Sequence, residues 1–295
     1  MNQNSNKIPD YVTFGKTFEK YKWYKPILVF VIGLIIYAVL QGIILMVCSG
    51  IYGMDKVNLI LSGGYDVIDT SDVGFYVSYI SVIIFAPALY ISSRIVKDRP
   101  FSSYSSSRGG WNWKIYFKCL IIPFIIYLII AILTVLNNGK AHTTKITILP
   151  FILGLIFIPL QCIAEEHVFR GLFMQTLGSW FNIPVLAVIL QSIIFALAHP
   201  YNILGVIGIL ISGLAFGFLA WKSNGLESAS ALHTINNLMG FYTVALGYDI
   251  LQNNITNMDF ISGLVCMSLS TIIIYYIGTK YEWFNEKTNE NKISS

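Results

Sequence analysis

Eight apolar stretches dominate this chain, most of them about the twenty residues that a helix needs to cross a hydrocarbon layer of ~30 Å. They run Ile27–Cys48, Val73–Val96, Ile115–Leu136, Ile146–Phe173, Ile183–Ala198, Ile203–Trp221, Leu226–Leu246 and Phe260–Gly278. Lipid offers no partner to a backbone N–H or C=O, so apolar segments of this length satisfy themselves as helices. The expected fold is all-α: a polytopic membrane protein of about eight transmembrane helices, with its active site within the membrane bundle. A composition of 55% hydrophobic against 12% charged residues excludes a soluble domain with a large core.

The connecting charges sort by side. Lys16, Lys20, Lys22, Lys25, Arg94, Lys97, Arg99, Arg108, Lys114, Arg170, Lys222, Lys280 and Lys287 fall on one side, and Asp55, Asp66, Asp69, Asp72, Asp249 and Asp259 on the other. By the positive-inside rule both termini are cytoplasmic and the protein is a multi-pass component of the plasma membrane. Lys56, Lys140 and Lys145 dissent. The net charge of +4 follows this orientation and gives no nucleic-acid surface, so the partner that composition implies is the lipid bilayer.

The organisation read from these spans is a cytoplasmic N-terminal segment (1–26), three N-terminal transmembrane helices (27–145), a core of helices four to seven (146–247), a last transmembrane helix (248–279) and a cytoplasmic tail (280–295). The first apolar stretch is too long for a signal peptide and is expected to remain as a span. Cys48, Cys119, Cys162 and Cys266 sit inside apolar runs at unrelated spacings, as buried small hydrophobes do. Ser102–Ser107 reads as a short loop. Small residues four apart, Gly208/Ser212 and Gly213/Gly217, mark span six as a packing helix beside the reacting helices. Pro159 is expected to kink span four.

Against this background Glu165-Glu166-His167-Val168-Phe169-Arg170 stands out. Each ionisable residue at bilayer depth costs roughly 2.5–3.5 kcal/mol on insertion scales, so three unpaired would cost roughly 8–10. Glu166 and Arg170 are spaced i,i+4 on a helix and can neutralise each other. Glu165, rotated about 100° from its neighbour, is left over, and calls for a chemical reason.

Three further polar groups lie in later spans: His199 at the end of span five, and His233 and Asn237 on one face of span seven. Trp180 back to Glu165 and Pro184 forward to His199 are counts of equal length, roughly 22 Å at 1.5 Å per residue, so the two are expected to meet at one depth. His233 is only roughly 10 Å into its span. Either span seven starts earlier, near Lys222, or the site lies nearer the inner leaflet.

These residue types suit amide hydrolysis. Glu165, its carboxyl favoured as a base by desolvation, activates a water; His199 holds or shares that water's proton; His233 and Asn237 donate to the developing oxyanion. The same atoms of Glu165, His199 and His233 also form an ordinary zinc-ligand set for a metal-activated water. No Ser or Cys stands beside a base as a nucleophile.

Taken in order, Glu-Glu-x-x-x-Arg at Glu165–Arg170, Phe-x-x-x-His at Phe195–His199 and His-x-x-x-Asn at His233–Asn237 resemble the CAAX-processing and bacteriocin-immunity (CPBP or Abi) family of intramembrane proteases. The segment Asn224–Asn237 looks like that family's last motif region, and the resemblance covers roughly Leu149 to Ala245. It implies a CAAX prenyl protease-like endopeptidase acting on a peptide or membrane-protein substrate: Glu165 and His199 activating water, His233 and Asn237 stabilising the oxyanion, and Glu166 and Arg170 in supporting roles. It implies either a metalloprotease or a metal-free Glu/His mechanism. The abundance of Ile, Asn, Lys and Tyr fits a low-GC bacterium, where prenylated substrates are generally lacking, so family analogy turns to bacteriocin self-immunity or peptide and pheromone maturation. The alternative is a non-catalytic membrane immunity or scaffold protein that binds a toxin or receptor; a transporter would need paired broken helices, which the sequence lacks.

The plainer expectations complete the reading. His167, where the family more usually has an apolar residue, faces away from Glu165. His142 is a solvated loop residue, Glu227 a first-turn carboxylate favoured by the helix dipole, and Asn236 a packing hydrogen-bonder. Trp23, Trp111, Trp113, Trp180 and Trp283 form interfacial belts.

Overall fold

The computed structural model describes residues 8–62, 72–138, 148–248 and 254–285. Asp66, Asp69, Lys140, His142, Lys145, Asp249 and Lys287 lie outside the described residues. In chain order the helices are α1 (Lys25–Tyr52), α2 (Met54–Ser62), α3 (Asp72–Ile83), α4 (Phe85–Val96), a single turn α5 (Ser102–Ser105), α6 (Trp113–Asn138) and α7 (Ile148–Glu166). A π-helical segment, His167–Met174, runs on without a break into α8 (Gln175–Phe181). Then come α9 (Pro184–Leu197), α10 (Ile203–Lys222), α11 (Glu227–Ala245) and α12 (Asn257–Lys280). Among the described residues the sole β feature is an isolated bridge between Ser106 and Gly225.

Each of the eight apolar stretches carries a helix, but six are long and apolar enough to cross a membrane: Lys25–Tyr52, Val73–Val96, Trp113–Leu133, Ile148–Phe181, Ile203–Lys222 and Asn257–Lys280. The two that fall short do so for different reasons. α9 has 14 residues, about 21 Å of helix, which is less than the hydrocarbon layer. α11 is long enough, with 19 residues, but carries Glu227, Ser228, Ser230, His233, Thr234, Asn236 and Asn237. A helix so polar survives at depth by facing protein, and its first nine residues, Glu227 to Ile235, are all buried. The protein is a multi-pass, all-helical membrane protein.

Local chemistry sets the turns. Asn182 takes the left-handed conformation (φ 57°) that ends α8, and Pro184 opens α9 at a position that needs no N–H donor. Asn202 caps α10 by accepting from Gly205 N at 2.9 Å, and Thr256 and Asp259 form a reciprocal capping box at the start of α12. α7 passes through Pro159 as helix; the departure from α geometry comes later, at His167. Gly213 and Gly217 bring α10 against α9: a Cβ at either would meet Ser192 at 3.0 Å or Gln191 at 2.6 Å. These two glycines serve the packing role expected of them. All four cysteines are buried and free.

The segment 98–112 corrects the sequence reading. Arg99 and Arg108, counted among the charges of the cytoplasmic side, are buried, and so is Ser103–Ser107. Arg99 donates to Gln175 Oε1 and to the Gly171 carbonyl (3.1 Å), and Gln175 Nε2 donates to Ser103 O (3.0 Å). Arg108 pairs at 2.5 Å with Glu227, whose other oxygen accepts from Asn112 N at 2.8 Å. Glu227 is therefore more than a dipole-favoured carboxylate. Tyr11 inserts from the N-terminal segment and donates its hydroxyl to Tyr104 O, and Trp221 Nε1 reaches Asp10 at 2.8 Å. Burial pushes the Tyr11 and Tyr104 phenols up, so both remain donors. Trp23, Trp113 and Trp180 are exposed as an interfacial belt requires, whereas Trp111 packs on the core and stacks on His167.

Truncating either member of a fully buried pair leaves an uncompensated charge. Glu227→Ala is therefore expected to lower unfolding stability by about 3–5 kcal/mol, read as an earlier unfolding transition in detergent micelles. Glu227→Asp, which keeps the charge, is expected to lose less.

Candidate active site

Glu165, Glu166, Arg170 and Asn237, but not His199, come together around the imidazole of His233. His233, on the buried face of α11, directs Nδ1 at Glu166 Oε1, 2.9 Å away. The same oxygen accepts from Arg170 Nη1 at 2.9 Å, and the Glu166 and Arg170 side chains are both fully buried. Arg170 Nη2 continues to the Gly213 carbonyl at 3.2 Å, which the small residues of α10 leave open to approach. Its guanidinium carbon lies 4.4 Å from the centre of the Phe195 ring and 5.2 Å from that of Phe216. Phe216 also stacks on His233 at 4.7 Å. The imidazole is thus clamped by a carboxylate at one edge and an aromatic face on one side.

A carboxylate at Nδ1 selects the tautomer with the proton on that nitrogen, as an orienting acid does in other histidine sites. Nε2 is left facing Asn237 Nδ2 at 3.3 Å and Glu165 Oε2 at 3.9 Å. Glu165 Oε1 accepts from Gln161 Nε2 at 2.7 Å, one helical turn earlier. Glu165 Oε2 is buried with no hydrogen-bond partner. A separation of 3.9 Å is beyond a direct bond and within the span of one bridging molecule. Asn237 is held in turn: its Oδ1 accepts from Asn236 at 3.0 Å, and Asn236 Oδ1 accepts from the Tyr127 hydroxyl at 2.9 Å.

His199 is not part of this contact network. No hydrogen bond or ion pair joins it to Glu165 or His233 among the described residues. It lies two residues beyond the end of α9, half-buried, and its Nδ1 bonds to the carbonyl of Phe195 at 2.8 Å. The Phe195 ring packs against both imidazoles, its centroid 4.7 Å from that of His199 and 6.1 Å from that of His233. The expected zinc set of Glu165, His199 and His233 does not converge: among the described residues no three His, Cys, Asp or Glu side chains are placed to hold a metal ion. Nδ1 of His233 is held by Glu166 and Nδ1 of His199 by its own helix.

An earlier start of span seven, near Lys222, is not what the structure has: Lys222 ends α10. α11 begins where the sequence places it, but its first turn is sunk inside the protein. Leu226 N donates to Ser105 O at 2.8 Å, and Ser105 Oγ also meets His167 Nε2 at 2.9 Å. The 98–112 segment thus caps α11 at the level of His167, one residue past the glutamate pair. His167 itself bonds Ile163 O at 2.7 Å and stacks on Phe101 at 5.7 Å, turned away from Glu165 as expected.

Three features escaped sequence reasoning. Gln161 fixes one oxygen of Glu165, and its i−4 spacing was the available signal. Cys162 interacts with the His233 imidazole and is completely buried. The π-helix at His167–Met174 has no signature in composition; such segments are rare and concentrate at functional sites.

Residues 146–239, a third of the chain, match the family of type II CAAX prenyl endopeptidases called Rce1-like. The match covers all three motifs and supports the family resemblance read from them. A Bacillus subtilis protein, the uncharacterized protein YyaK, is 25% identical over 183 residues, covering 56% of this chain and 60% of that protein. The chain therefore spans less than two thirds of that relative's length. No solved structure matches.

Proposed function

We propose that the chain is an intramembrane endopeptidase that hydrolyses a peptide bond in a membrane-associated peptide or protein by a metal-free route. The observation that carries this reading is the His233 imidazole, fixed by Glu166 at one nitrogen and standing 3.9 Å from the unpartnered oxygen of Glu165 with the other.

Charge bookkeeping defines the reactive state. Two carboxylates against one guanidinium leave one negative charge, and a second proton on His233, at Nε2, makes the cluster neutral, as a low-dielectric interior favours. In that state Glu165 is the base. Its Oε2 takes a proton from a water as the water oxygen bonds to the scissile carbonyl carbon. The carbonyl electron pair moves onto oxygen, where His233 Nε2–H and Asn237 Nδ2–H donate to it. When the oxyanion collapses, the C–N bond breaks and Glu165 returns its proton to the departing nitrogen. One carboxyl and one amine terminus result. Arg170 and Glu166 hold the imidazole and take no proton. His199, across the Phe195 ring, joins the water when substrate is bound; catalytic hydrogen bonds commonly tighten only in that complex. Self-immunity to a bacteriocin or maturation of a secreted peptide is the biological setting that we favour for such an activity.

The test is cleavage of a quenched peptide library by protein reconstituted in proteoliposomes, with and without a strong chelator. Turnover is expected in both. Asn237→Ala is expected to lower kcat by about 10²–10³, the usual effect of losing one oxyanion donor, with less change in KM. Turnover abolished by the chelator would overturn the metal-free route. Turnover insensitive to Asn237 would remove its assigned role.

A further inference from the structure

The reacting groups sit on two pieces of chain, the Glu165–Arg170 stretch and α11, and the match to the endopeptidase family spans both sets of residues. The chain that ties these two pieces together at one end of the bundle lies outside that match. The connection 98–112 grips each piece in turn. At the first, Arg99 Nη2 donates to the Gly171 carbonyl at 3.1 Å, one residue past Arg170, while Arg99 Nη1 holds Gln175. Tyr104 lies against the same glycine: a Cβ at Gly171 would meet the Tyr104 carbonyl at 3.0 Å. At the second, Ser107 N donates to Asn224 O at 3.1 Å, and Leu226 N donates to Ser105 O at 2.8 Å. Arg108 pairs there with Glu227, six residues before His233. The 3.9 Å gap between Glu165 Oε2 and His233 Nε2 thus lies between two walls that one short stretch of chain holds together.

That stretch is itself held by the N-terminal segment. Tyr11, Val12 and Tyr104 are fully buried. The Tyr11 hydroxyl donates to the Tyr104 carbonyl, the atom that faces Gly171, and Ser107 Oγ donates to Pro9 O at 2.7 Å. Asp10 accepts from Trp221 Nε1 at 2.8 Å, in the last turn of α10. Val12 packs so close to Gly178 in α8 that a Cβ there would collide with the Val12 carbonyl. Residues 9–12 therefore touch α8, α10 and the connection at once. Buried polar contacts of this kind fix a position, because each group left unpaired would cost the fold.

The chemistry is sensitive to that fixing. A reacting group misplaced by 1 Å costs about 10²-fold in rate, and a gap of 3.9 Å holds one bridging molecule and little more. Arg99 and Tyr104 bear on the π-helical segment that begins at His167, so a shift of the connection moves the turn that carries Arg170.

Resting on the peptidase reading above, we propose that Tyr11 and Arg99 are positioning residues of the reaction. The N-terminal segment and the connection 98–112 form one brace that sets the distance between Glu165 and His233. The family-matched core carries the reacting groups, and the brace carries their spacing.

The test is a pair of double-mutant cycles in proteoliposomes on a quenched peptide library. Tyr11→Phe removes one hydroxyl and leaves the ring; Arg99→Lys keeps the charge and loses the fork that serves Gly171 and Gln175 together. Each is made alone and with Glu165→Gln, and rates are counted per folded molecule. Each single variant is expected to lower kcat by about tenfold, with KM within about twofold of wild type. The slow residual turnover of Glu165→Gln no longer uses the gap to His233. On that background the same substitutions are expected to change the rate by less than about twofold. Tyr11→Phe, nearly isosteric, carries the comparison if Arg99→Lys does not fold. Equal losses in both backgrounds, or a wild-type kcat in the folded single variants, overturn the brace and leave the peptidase intact. Wild-type protein that cleaves nothing overturns the peptidase reading and the brace with it.

Discussion

Arg170→Ala is expected to be the most destabilising single substitution in this protein, at about 3–5 kcal/mol. The side chain is completely buried, and its permanent charge pairs with Glu166 at 2.9 Å. Its removal strands a carboxylate in the interior and releases the Gly213 carbonyl and the faces of Phe195 and Phe216 together. Arg170→Lys keeps the charge but not the fork that serves Glu166 and Gly213 at once, so it is expected to recover only part of the loss. The informative comparison is the double variant Glu166→Gln/Arg170→Met. Replacing both members of a buried pair is far milder than breaking it, so the double variant is expected to unfold later than Arg170→Ala in the same micelles. A double variant as unstable as the single would mean that the pair itself is not what holds this region.

Glu165→Gln has the opposite signature: large in activity and small in stability. Glutamine keeps an oxygen to accept from Gln161, and it removes a buried charge at Oε2 that has no partner. The fold is therefore expected to be unharmed. An amide takes no proton from water, so kcat is expected to fall by about 10²–10⁴, the range general base catalysis contributes. KM should change little, because no ground-state contact to substrate is assigned to this oxygen. Loss of activity accompanied by an early unfolding transition would instead make Glu165 a structural residue.

Much of this site was legible before any coordinates. A Glu-Glu-x-x-x-Arg run in apolar surroundings forces an ion pair, and the spacing named Glu166 and Arg170 as its members. His233 and Asn237 at i,i+4 had to share a face. What could not be read was which carboxylate the imidazole would choose. Glu166 takes it, and so it holds His233 as well as Arg170. Equal counts along a hairpin placed His199 at the depth of Glu165, yet counting along helices says nothing of azimuth, and His199 turns its Nδ1 to the Phe195 carbonyl of its own helix. The burial of the 98–112 connection was not legible, because a Ser-rich run reads only as a short loop. In place it folds inward, donates Arg99 and Arg108 to buried partners, and covers the start of α11. Hydropathy likewise named eight spans, although α9 is short and α11 is sheltered by protein, since a linear average has no knowledge of neighbours.

The assignment of work between Glu165 and the groups around it reduces to one measurement. Wild type, Glu165→Gln and Cys162→Ala, each shown to be folded, are reconstituted and given the same cleaved peptide, and initial rates are compared with and without chelator. The account predicts equal rates for wild type in both conditions, a rate within a few-fold of wild type for Cys162→Ala, and a loss of about 10²–10⁴ for Glu165→Gln. Cleavage by folded Glu165→Gln at the wild-type rate would contradict it.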